Sequence, residues 1–180
     1  MREGGSTATA LNRILVLGIG NVLMGDEGVG VEAVRRLQET ALPPGVTLLD
    51  GGTGSFQLLS WLAGQDAVVL IDASADANPP GTVSLLEPRF ASDFPRSLTA
   101  HDIGLRDLIE AASLLEALPR VFLVTVSVAD LQSMQIGLSD AVAASLPRVV
   151  EQVKSLLDGL TASPPEVVAG GLIGSRAQPV

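Results

Sequence analysis

Cysteine is missing from all 180 residues, and histidine occurs once, as His101. Disulfides, thiol nucleophiles, zinc knuckles and cysteine-held iron–sulfur clusters are therefore excluded from within this chain. Basic side chains are sparse as well: 11 Lys and Arg stand against 20 Asp and Glu, a net charge of −9. With no cluster of Lys or Arg to displace counterions from a phosphate backbone, no nucleic-acid partner is expected. No apolar run approaches the length needed to span a bilayer, and the first dozen residues lack the apolar core of a signal peptide. No membrane association is expected, and a cytoplasmic location follows.

What is present is an ordinary compact composition, 47% hydrophobic and 17% charged, with a mean hydropathy of +0.42. The hydrophobicity is carried by many short Val, Leu, Ile and Ala stretches, as expected of strands covered on both faces. The chain length suits one domain with one core. Residues 1–12 read as a flexible leader, 13–159 as a single α/β domain, and 160–180, rich in Pro, Gly, Ser and Ala, as a flexible tail.

Apolar runs predict strands over 13–18, 46–50, 67–72, 82–86 and 120–126. Helical spacing predicts helices over 29–40, 55–62, 103–117 and from Ser139 and Asp140 to about Leu157. Pro147 lies inside the last pattern and predicts a kink or restart there. The nine residues between the third and fourth strands are too few for a helical crossover, so the fourth strand is expected at an antiparallel edge. The resulting order, β-α-β-α-β-β-α-β-α, predicts an α/β fold of three layers. A doubly wound, mostly parallel, twisted sheet of about five strands would lie between helices, with its ligand crevice at the carboxyl ends of the strands.

Three groups would gather at that rim. Asp26 and Glu27 close the glycine-bearing loop after strand 1. A loop built to cradle phosphate presents backbone N–H groups and avoids carboxylates, so this one suits a cation; equally, a pair of acids in a first helical turn stabilises the helix dipole. Gly18 and Gly20 start a dinucleotide fingerprint, but Leu23 stands where its third glycine belongs. Asp72 ends the most apolar strand, where an acid must cap, pair or bind a cation. Asp50 has the same placement on strand 2, but the adjoining Gly51 and Gly52 favour a turn-capping role. His101 precedes a helix, in a setting that suits a cap as well as a ligand. Taken together, Glu27, Asp72 and His101 form an oxygen, oxygen, nitrogen set suited to nickel, zinc, manganese or iron. No serine–histidine spacing suggests an acyl-enzyme route.

These residues carry a resemblance. The loop GIGNVLMGDEGVGV at Gly18–Val31, LDGGT at Leu49–Thr53, IDA at Ile71–Ala73, HDIGLRDLI at His101–Ile109 and IGLSDAV at Ile136–Val142 resemble, in order and spacing, the maturation endopeptidases of nickel–iron hydrogenases. The resemblance implies removal of a short C-terminal extension from the nickel-loaded precursor of the hydrogenase large subunit. By position it implies that Glu27, Asp72 and His101 are the catalytic, metal-contacting residues. The nickel is supplied by the precursor, and the enzyme is expected to be a monomer. The alternatives are a chaperone that holds the precursor without cutting it and, further off, a nucleotide-binding α/β domain.

Overall fold

The computed structural model describes residues 13–54, 56–88, 93, 95, 98, 119–129 and 134–162. Five strands, β1 (Ile14–Ile19), β2 (Val46–Gly52), β3 (Ala67–Ser74), β4 (Val83–Leu86) and β5 (Arg120–Ser127), form one sheet in the order β2-β1-β3-β5-β4. The β1–β2, β1–β3 and β3–β5 pairs are parallel, and β4 runs antiparallel to β5 at the edge. Both the parallel sheet and its antiparallel edge strand match the sequence reading. The β3–β4 turn forms because Thr82 donates to the Pro79 carbonyl through its N–H at 3.1 Å and its hydroxyl at 2.6 Å.

Alternation along each strand divides the core in two. On one face Val16, Val69, Ile71 and Val124 pack with Val34 and Leu37 of α1 (Val29–Gln38) and Val149 and Val153 of the last helix. On the other face Leu15, Leu17, Val68, Leu70 and Leu123 pack with Leu58 and Leu62, where a 3₁₀ turn at Phe56–Leu58 leads into the short α2 (Leu59–Leu62). Side chains of this size each contribute about 1.5–3 kcal/mol when fully buried. The central strands, apolar on both faces, are thereby held in register by two cores at once.

The last helix, α3 (Asp140–Ala162), is one unbroken element of 23 residues with Pro147 inside it. A restart at Pro147 does not occur. Pro147 lies on the exposed side, and the Ala143 carbonyl deprived of its donor is half-buried, within reach of water. The helix also outruns the expected end, because Leu160 packs against the core and the Thr161 hydroxyl donates to the Leu157 carbonyl at 2.9 Å. Residues 160–162, assigned above to a flexible tail, are helical. The expected helix over 103–117, the leader and the remainder of the tail lie outside the described residues.

One glycine sets how closely α1 approaches the sheet. A Cβ at Gly30 would collide with the backbone carbonyls of Ile19 and Ile71. Ile19 ends β1 and Ile71 lies inside β3, so the first turn of α1 rests directly on both strands. Gly30→Ala should therefore destabilise the fold by about 1–3 kcal/mol, since backbone cannot yield as a side chain does. Gly159→Ala, with open space around it, should instead stabilise by about 0.5–1 kcal/mol. Denaturant unfolding of the two variants measures both.

Candidate active site

The strand order places a topological switch between β1 and β3. From β1 the chain crosses to β2 on one side, and after β3 it continues to β4 and then β5 on the other. Connections that diverge in this way leave a crevice outside the carboxyl ends of the two strands, the usual ligand position in an open α/β sheet. The crevice is flanked by the two carboxylates picked out from the sequence.

Glu27 lies in a 3₁₀ turn, Gly25–Gly28, that bridges β1 and α1. It is 2% exposed. The turn packs against β3, and Gly20, with φ 134°, leaves the space that the Glu27 carbonyl fills. A side chain at position 20 would expel that carbonyl and with it the turn. Asp72, 1% exposed, stands on β3 one residue beyond the Ile71 carbonyl on which Gly30 rests. Its Oδ1 accepts the N–H of Ala73 at 2.8 Å. Among the described residues no group of three His, Cys, Asp or Glu gathers into a metal site; His101 lies outside them.

Asp26 has a different task from its neighbour. Its Oδ1 accepts the backbone N–H of Ser139 at 2.6 Å and its Oδ2 accepts the Ser139 hydroxyl at 2.8 Å. Ser139 in turn caps α3: its carbonyl takes the Ala143 N–H at 2.8 Å, and its hydroxyl faces the Val142 N–H at 3.5 Å. An anion here is also favoured by the positive end of α3. A further bond, from the Gly25 N–H to the Gln135 carbonyl at 2.6 Å, joins the same two loops. The sequence showed Ser139 as a cap and Asp26 as an acid, but offered no sign that they hold each other across 113 residues.

Two more features escaped the sequence reading. Asp72 and Ser74 of β3 lie in register with Thr125 and Ser127 of β5, and all four are buried. They form a polar row at the rim on the face that carries α2. Both strands extend past the apolar runs that predict them, which adds Ser74 and Ser127 to Asp72 and Thr125. Leu98 is bridged to Ser74 in antiparallel sense, which ties the segment leading to His101 to the end of β3. Asp50, as expected, caps a turn: Oδ1 accepts the Gly52 N–H at 3.0 Å where the β1–β2 register shifts. Its 3.7 Å ion pair with Arg35 is half exposed and contributes little.

Asp76, just past the polar row, has its carboxyl held below the usual range. Partial burial opposes this, but the Asn78 N–H and the Ser127, Asn78 and Ser74 side chains favour the anion and prevail. A lowered folded-state value contributes stability above the ordinary carboxylate range, and that contribution disappears as pH falls through the lowered value.

An open α/β sheet with buried carboxylates at its switch point defines a class of ligand-handling proteins; the comparisons with known proteins narrow it. Residues 31–156 match the model of the HycI family, described as hydrogenase maturation protease. The chain is 34% identical over 161 residues to the hydrogenase 2 maturation protease of Escherichia coli, covering 87% of this chain and 98% of that one. It is 38% identical over 149 residues to the hydrogenase expression/formation protein HupD of Rhodobacter capsulatus, covering 80% and 71%. Among solved structures, the hydrogenase maturating endopeptidase HybD from E. coli superposes with a TM-score of 0.75 at 35% identity, over 82% of this chain and 93% of that one. The [NiFe] hydrogenase maturation protease HybD from Thermococcus kodakarensis does so with 0.65 at 28% identity, over 81% and 99%.

The chain belongs to the hydrogenase maturation protease family. It is a maturation endopeptidase, a peptide hydrolase.

Two stability measurements test the site's framework. Asp26→Ala and Ser139→Ala should each cost about 1–3 kcal/mol, and the double variant should cost clearly less than their sum, because both remove the bond between the Ser139 hydroxyl and the Asp26 carboxylate. Asp76→Asn should flatten the loss of stability as pH falls below the ordinary carboxylate range while leaving the pH dependence near pH 7 little changed.

Proposed function

We propose that this endopeptidase removes the C-terminal extension of the large-subunit precursor of a nickel–iron hydrogenase after nickel insertion. The nickel is part of the substrate, and Glu27, Asp72 and His101 meet it. The observation that supports this reading is the pair of buried carboxylates on the two sides of the β1–β3 switch point. The Ser74–Leu98 bridge adds to it. His101 follows Leu98 by three residues, and three residues of chain reach no further than about 11 Å. Two carboxylate oxygens and one imidazole nitrogen leave coordination positions for the precursor's own ligands.

In the proposed reaction a water adds to the scissile carbonyl carbon, its proton passing to a carboxylate of the site. The C–N bond then breaks, and the departing amine takes the proton back. A divalent ion held beside that carbonyl stabilises the developing negative charge. Binding is then strong only when the ion arrives with the precursor, which makes cleavage conditional on a loaded metal centre.

The test uses a nickel-loaded precursor and reads its mass. The wild-type protein should shorten it, whereas Glu27→Gln, Asp72→Asn and His101→Ala should each slow cleavage by about 100-fold or more with far-ultraviolet circular dichroism unchanged. Nickel-free precursor should remain uncut. Full cleavage by all three variants would refute the residue assignment, and binding with no mass change in the wild type would favour a chaperone.

A further inference from the structure

We infer that Leu23, Met134 and Ile136 form an apolar docking surface for the precursor segment beside the scissile bond, and that they set which precursor is accepted. The inference rests on the function proposed above. These three are the most exposed large hydrophobic side chains among the described residues, at 59%, 91% and 85%. They come from two loops far apart in sequence, yet those loops are one unit. The Gly25 N–H donates to the carbonyl of Gln135, which stands between Met134 and Ile136, and Asp26 is doubly bonded to Ser139. Leu23 precedes that joint by two residues and Glu27 follows it by two.

The exposure is not what an idle loop shows. Met134 is the one non-glycine residue with positive φ, 52°, among the described residues. Few side chains adopt that conformation without a reason, and here it accompanies an apolar side chain left almost wholly in water. Side chains so placed gather affinity only when a partner covers them. Leu23 stands four residues before Glu27 in the same loop and turn, so a peptide whose metal centre meets Glu27 has its neighbouring segment near this surface. A net charge of −9 repels acidic segments, so the occupant is an apolar stretch of the precursor free of acids or flanked by basic residues.

Polar replacement of these side chains should weaken docking and leave the chemistry intact. Leu23→Ser, Met134→Ser and Ile136→Ser, alone and together, are compared with the wild-type protein on nickel-loaded precursor. Cleavage kinetics are read alongside calorimetric binding with Glu27→Gln as the uncut background. The triple variant should raise KM and Kd by about tenfold or more, with kcat within about twofold. Met134→Gly, which relieves the backbone and removes the side chain, should raise KM while raising stability.

Unchanged KM and Kd in the triple variant would overturn the docking surface while leaving the protease reading intact. A wild-type protein that binds the precursor without cutting it, and loses binding in the triple variant, would overturn the protease reading and uphold the surface. Wild-type protein that neither binds nor cuts would overturn both. Self-association of the wild type in sedimentation, abolished by the triple variant, would assign the surface to a second copy of this chain and overturn the inference.

Discussion

Where Gly30 lies, helix and sheet meet backbone to backbone, and the turn that carries Glu27 is placed by that contact. The carbonyls of Ile19 and Ile71 take the space a side chain would need, so α1 begins directly over two neighbouring strands. The turn before it has no freedom to drift, and Glu27 is carried to the edge of β3 while staying buried. Asp72 is positioned independently, by the register of β3 between β1 and β5. A pair of acids so enclosed is expensive in isolation. Its persistence is explained by the dipole of α1, whose N-terminus opens one residue after Glu27, and, on the proposed reading, by the divalent charge that the precursor brings.

A division of labour runs through the adjacent pair Asp26 and Glu27. Both are buried to the same degree, and composition alone would treat them alike. Asp26 spends its acceptors on Ser139 and so belongs to the scaffold. Glu27 belongs to the rim. The joined loops also decide what the surface around the rim looks like, since the Gly25–Gln135 bond sets Leu23 and the two apolar residues flanking Gln135 beside one another.

Much of this was legible beforehand, for identifiable reasons. The buried strands announced themselves as unbroken apolar runs, and the short link before β4 excluded a crossover, which gave the antiparallel edge. The turn-capping role of Asp50 followed from the glycines beside it. What failed to show were interactions between residues distant in sequence. Asp26 and Ser139 each looked locally sensible, as a first-turn acid and a cap, so neither asked for a partner. The polar row at Ser74 and Ser127 was hidden because serine weakens a strand pattern, although β-ladder bonding continues past it. Pro147 does not restart the last helix, since a proline on the solvent-facing side of a well-packed helix interrupts one bond without ending the element. The placement of Glu27 and Asp72 at one rim followed from topology once the element order was known.

The Asp26–Ser139 clamp has a temporal consequence. Its two halves are 113 positions apart, so it closes only once both have been made. During synthesis the loop that bears Glu27 leaves the ribosome early but acquires its anchor only when Ser139 emerges and α3 can dock. An incomplete chain therefore carries the glutamate without the rigid setting that aims it. The rim is thereby left unfinished until Ser139 and the start of α3 have been made.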